Sequence, residues 1–156
     1  KAVREKESVH IVFPFAFENS STRIGLNNSY ITPENGQIAG SNKDFYSVQR
    51  WIDVSNETDG ATVVSPQGAL YEIGEMVNEE QTNKGYKIWK ENSKSSSTIF
   101  LYAMNNYWHT NYKIDQEGII QYDFYIKFHN MFDAEKAKNF GYEITQPLIG
   151  KAIFTK

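Results

Sequence analysis

The residues best equipped for chemistry crowd into "NNYWHTNYKIDQ", Asn105 to Gln116, where three aromatic side chains stand among three asparagines, a histidine, a lysine and an aspartate. Aromatic faces stack on the C–H surfaces of sugars, and side-chain amides pair with sugar hydroxyls. A carbohydrate contact is therefore one reading of the segment. The other is a hairpin held by its own asparagine and tyrosine hydrogen bonds, with no ligand. Asn105 and Asn106 each continue a strand face that has been apolar for three alternate residues. The strand is thus expected to leave the core there and reach a rim, with Tyr107, Trp108, His109, Thr110, Asn111 and Tyr112 forming the rim loop.

A second anomaly is Arg50, which shares one face of "FYSVQRWIDVS" with Tyr46, Val48, Ile52 and Val54. A polar group on an apolar face costs about 1–3 kcal/mol if left without partners, and more if charged. Arg50 is expected either to pair with Asp53 or Asp59 or to face a ligand cleft between domains.

Other chemistries find less support. The three histidines, His10, His109 and His129, show no HxH or HExxH spacing, so no metal site is predicted, although His109 and Asp115 could reach a shared ion. His10 and His129 fall on polar strand faces and are expected in solvent. Asp53, Asp115 and Glu117 could supply the two carboxyl groups of a glycosidase, but a β protein with 19 acidic residues offers such pairs by default. There is no GxSxG elbow and no glycine-rich phosphate cradle. No catalytic residue is predicted.

The elements that position these residues are strands. "VHIVFPFAF" places Val9, Ile11, Phe13, Phe15 and Phe17 on one face, and Pro14 makes it an edge strand or a bulged one. The following asparagine-, serine- and glycine-rich stretch reads as loop with one short strand. "ATVVS" and "ALYEIG" are further strands, and residues 78–97 read as a long surface loop around Trp89. "STIFLYAMNNYW" is apolar on both faces, as in the middle of a covered sheet. In "GIIQYDFYIKFHN", Ile120, Tyr122, Phe124, Ile126 and Phe128 are expected inward and Gln121, Asp123, Tyr125, Lys127 and His129 outward. "DAEKAKNFG" predicts a short helix capped by Asp133 and ended by Gly141, and "PLIGKAIF" a last strand. The fold class predicted is all-β, an antiparallel β-sandwich with one short helix near the C-terminus.

At 156 residues the chain is one domain with room for a substantial core. Its net charge of −3 comes from mixed signs without a basic face, which argues against nucleic acid as a partner. No run approaches the roughly 20 apolar residues of a membrane span, so no membrane partner is expected. The absence of cysteine removes disulfides, thiol catalysis and thiolate metal sites. The charged opening "KAVREKESVH" lacks a signal-peptide core and a methionine, and reads as a piece cut from a longer chain.

Three segments, "FYSVQRWIDVSNETDGATVVSPQGALYEIG", "LYAMNNYWHTNYKIDQEGIIQYDFYI" and "AKNFGYEITQPL", together resemble the C-terminal β region of glycoside hydrolase family 38 α-mannosidases, the bacterial members above all. The resemblance implies a sandwich of the galactose-mutarotase-like type, serving as an accessory region of a zinc-dependent retaining enzyme. In that family the zinc and the aspartate nucleophile belong to a separate barrel domain, so the zinc is expected there and no cofactor is expected in this chain. The motif positions carried over are Gln49, Arg50, Asp53, Asn105, Asn106, Trp108, His109, Asn111 and Asp115. Arg50, Asn105, Asn106, Trp108, His109, Asn111 and Asp115 would be carbohydrate or interdomain contacts. The partners implied are the rest of the parent chain and a mannose-containing glycan, in the cytoplasm or periplasm of a bacterium. A carbohydrate-binding module without catalysis, or a purely structural sandwich, would use the same residues differently.

Overall fold

Successive side chains of a strand leave on opposite sides, so a strand with one apolar face must lay that face against another. The computed structural model describes residues 7–76, 90, 92, 95–105, 117–146 and 148–150, and meets this requirement with two antiparallel sheets. In chain order the strands are β1 (Ser8–Pro14), β2 (Ser21–Leu26), β3 (Ser29–Ile31), β4 (Tyr46–Ser47), β5 (Ile52–Ser55), β6 (Gly60–Val64), β7 (Leu70–Ile73), β8 (Thr98–Asn105) and β9 (Tyr125–His129). One helix, α1 (Ala134–Thr145), follows β9. The first sheet has the order β1-β8-β7-β4, the second β3-β2-β5-β6-β9.

The core lies between them. Tyr46, Tyr71, Ile73, Ile99 and Leu101 from the first sheet meet Ile24, Ile52, Val54 and Val63 from the second. Fully burying an aliphatic side chain of this size contributes about 1.5–3 kcal/mol, so this layer is the main source of stability. Ile11, Phe13, Phe15 and Phe17 close one side of the layer, with Phe13 meeting Phe124 edge-on at 5.2 Å and Phe15 meeting Phe128 at 6.4 Å. Among the described residues the observed architecture is thus an all-β sandwich with one helix near the C-terminus. As Pro14 requires, β1 is an edge strand, and its register with β8 also shifts between Val9 and His10. That shift takes Val9 off the inward face and leaves it exposed.

Several elements differ from the sequence reading. The stretch read mainly as loop contains a hairpin, β2–β3, closed by Asn27 and Asn28 at φ 39° and 67°. Two adjacent left-handed residues make the tight turn that matches strand twist, and asparagine tolerates that conformation. "FYSVQRWIDVS" is not one strand. It splits into β4 in the first sheet and β5 in the second, with a bend at Gln49 and Arg50. Arg50 therefore does not extend the inward face of its neighbours. In "GIIQYDFYIKFHN" only Tyr122 and Phe124 pack on the core, whereas Ile120, Ile126 and Phe128 are exposed because β9 is the outermost strand of its sheet. Leu148 to Gly150 form no strand, and the rest of the expected last strand, like most of the loop around Trp89, lies outside the described residues.

The helix packs on the outer face of the second sheet through Ala137, Phe140 and Ile144, which surround Trp51 and Val64. Asp133 caps it, accepting the N–H groups of Glu135 and Lys136 at 3.0 and 3.1 Å. The Lys136 N–H above all holds the Asp133 carboxyl below the usual carboxylate range. Gly141 does not end the helix, which continues to Thr145. It is buried inside, where a Cβ would stand 2.8 Å from Cδ1 of Trp51. Gly25 clears the other side of the same indole, since a Cβ there would lie 2.5 Å from it. The glycine is a packing residue, not a stop signal.

Two outcomes follow. Gly141→Ala gains about 1 kcal/mol of helix propensity but overpacks the indole at about 1–3 kcal/mol, so urea unfolding should show a net loss. Asn139→Ala on the exposed helix face should be neutral or slightly stabilising. Burial also pushes the Tyr71 phenol well above its ordinary value. The folded chain then holds this proton more tightly than the unfolded chain, so stability is complete below about pH 10 and falls as pH rises above it. Tyr71→Phe should flatten the alkaline limb of a pH-stability profile measured by denaturant titration.

Candidate functional site

Strand register carries a polar row across the outer face of the second sheet. Arg23 lies opposite Asp53, Asp53 opposite Thr62, and Thr62 opposite Lys127. Asp53 is fully buried there. Its Oδ1 accepts from the Ser55 hydroxyl at 2.6 Å, and its Oδ2 from the Thr62 hydroxyl at 2.7 Å. His129 Nε2 also reaches Oδ2 at 2.7 Å. Arg23 Nη1 donates to Ser55 Oγ at 2.8 Å and lies 3.7 Å from Asp53 Oδ1, while its guanidinium covers the Phe132 ring at 4.3 Å. A carboxylate with this many donors is a structural acceptor. It is not a free base or nucleophile. The Ser55 hydroxyl donates to the carboxylate and not to the imidazole, so the three residues are not arranged for the proton relay of an acyl-transfer triad.

The bend at Gln49 and Arg50 forms a second site. Val48 donates its N–H to Ala69 O in the first sheet at 2.8 Å, and Gly25 donates to Trp51 O in the second at 2.9 Å. Between these bonds Gln49 pairs with Asn27 twice: the Asn27 N–H donates to Gln49 Oε1 at 2.8 Å, and Gln49 Nε2 donates to Asn27 Oδ1 at 2.9 Å. Arg50 stacks on the helix, with Cζ 4.4 Å from the Tyr142 ring centroid. The Tyr142 hydroxyl in turn donates to Asn28 Oδ1 at 2.5 Å. Asn27, Asn28, Gln49, Arg50, Lys138 and Tyr142 line a shallow groove. Arg50 pairs with neither Asp53 nor Asp59. Asp53 is occupied as described, and Asp59 accepts from the Thr58 hydroxyl.

Asn105 is the last residue of β8, half-buried opposite Ser8, and Met104 beside it is exposed. Asn106, Trp108, His109, Asn111 and Asp115 lie outside the described residues. Arg50 and Asn105 stand in different sheets' surroundings, and Asp53 belongs to a third setting beneath Phe132. The two histidines expected in solvent are both engaged. His129 binds Asp53. His10 has a side chain 11% exposed, 2.8 Å from the buried Glu72 carboxylate. Its ring stacks on Tyr102 at 4.7 Å, and Tyr102 stacks on Phe45 at 5.4 Å.

Among the described residues no three histidine, aspartate or glutamate side chains come together as metal ligands, and no helix is long and apolar enough to cross a membrane. Comparison with family models, with curated proteins and with solved structures returns no match.

The Asp53 cluster yields a stability prediction. Asp53→Ala leaves Arg23, His129 and two hydroxyls facing an empty acceptor, so denaturant unfolding should show a loss of about 3–5 kcal/mol. Asp53→Asn, which keeps the shape and one acceptor, should lose less.

Proposed function

We propose that this chain is an accessory β-sandwich of an α-mannosidase-like glycoside hydrolase, docked against a catalytic barrel carried by the same polypeptide. The observation that carries the reading is the apolar seam along β9, where Phe15 meets Phe128. Phe128 is 69% exposed and Ile126 40% exposed, although both continue the face that elsewhere forms the core. Apolar side chains left open on an otherwise well-buried face suit a covering partner. The three segments that resemble family 38 enzymes support the identity of that partner, and the rim at Asn105 supports a contribution to a mannoside cleft. In such an enzyme the zinc and the nucleophile belong to the barrel, and this chain contributes packing and cleft wall.

The test uses the full-length product of the parent gene beside the present chain. Phe128→Asp should leave the melting temperature of this chain unchanged, since the ring is mostly in solvent. In the full enzyme it should lower zinc-dependent mannoside turnover and open the domain junction to limited proteolysis. Equal behaviour of wild-type and variant full-length proteins, or a parent gene without a barrel, would remove the reading. A saturable mannoside isotherm with this chain alone would instead favour a carbohydrate-binding module.

A further inference from the structure

We propose that the groove at the Gln49–Arg50 bend is a binding site for a carboxylate group. Arg50 is half-buried, its Nε is shielded from solvent without an acceptor, and among the described residues no carboxylate lies within ion-pair distance of it. Stacking on Tyr142 orients the guanidinium but does not neutralise it. The guanidinium lies over the ring with Cζ 4.4 Å from its centroid, and its N–H groups form a planar fork. That fork matches the two oxygens of a carboxylate.

The surroundings add to the match. Lys138 lies one helical turn before Tyr142, hence on the same side of α1. Its carboxylate neighbour, Glu135 at 3.4 Å, is a solvent-exposed partner of the kind that binds weakly. The groove therefore keeps excess positive charge. Asn28 uses its oxygen for the Tyr142 hydroxyl, which leaves its amide N–H groups to donate. The reciprocal Asn27–Gln49 pair fixes the opposite wall. The floor has space for about one water-sized atom, so one carboxylate oxygen would enter it and the second would stay at its mouth. The body of the ligand would remain outside. This inference is independent of the accessory-domain reading, because it uses only side chains within this chain.

The experiment is an NMR titration of the 15N-labelled 156-residue chain with sodium acetate and with sodium D-glucuronate, against D-glucose and against sodium chloride at matched ionic strength. Saturable shifts centred on the Arg50 Nε–H, Lys138 and Tyr142 are expected with both carboxylates. Equal affinities would mark a simple carboxylate as the ligand class, and tighter binding of glucuronate an acidic sugar. Arg50→Lys keeps the charge but loses the fork, and should weaken binding about tenfold. Lys138→Gln, on the helix surface, should weaken it less and keeps the test informative if Arg50→Lys disturbs the fold. No shifts, equal shifts with chloride or glucose, or undiminished binding in both variants would overturn the proposal.

Discussion

Val48 is bonded into one sheet and Trp51 into the other, with only Gln49 and Arg50 between them. That crossing constrains much of what surrounds it. It places Tyr46 and Ile52, close in sequence, on opposite walls of the same core. It also turns Trp51 outward onto the back of the second sheet, where a large apolar ring cannot be left in water. The helix answers that requirement, and it can approach only because residues 25 and 141 lack side chains. Arg50, unable to enter the core, is carried to the helix surface and laid on Tyr142. One short bend thus links the two sheets, the helix and the groove.

The back of the second sheet shows how a buried carboxylate can be given a donor at each oxygen, although Nδ1 of His129 beside it is buried without a partner among the described residues. Asp53 is removed from water, and each oxygen has its own hydroxyl donor before any charge partner is counted. Arg23 then serves two ends at once, with hydrogen bonding at its nitrogens and its flat face on Phe132. The histidine at the end of β9 ties the outermost strand to a carboxylate two strands away. Polar clusters of this kind specify register more than they add stability, because a slip of one residue would strand every member.

Strand identity was legible where apolar residues were dense: in β1 by alternation, and in β6, β7 and β8 as short apolar runs bounded by turns. The β2–β3 hairpin escaped because "STRIGL" carries a serine and an arginine on its outer face and a threonine on its core face, and the Asn-Asn turn was the one local sign. The break in "FYSVQRWIDVS" was hidden for a different reason. Period two continues through it, and nothing local tells a straight strand from one that changes sheets. Gly141 misled because glycine both ends helices and permits close contact, and only the position of Trp51 separates the two. Of the site residues, Asn105 stands at the end of β8, where the switch from apolar to amide was read. The Asp53 cluster was not read, although the turn at Asn56–Asp59 already sets Asp53 opposite Thr62. His129 was missed because its partner comes from 76 residues away.

The ends of the two sheets differ in how open they are to strand addition. β3 has three residues and β4 two, while β1 carries a register shift and finishes at Pro14. Each is a poor template for another chain. β9 has five regular residues, with one lysine among them as the sole charge-bearing deterrent apart from His129. Among the described strands, β9 is therefore the edge most open to pairing with another chain.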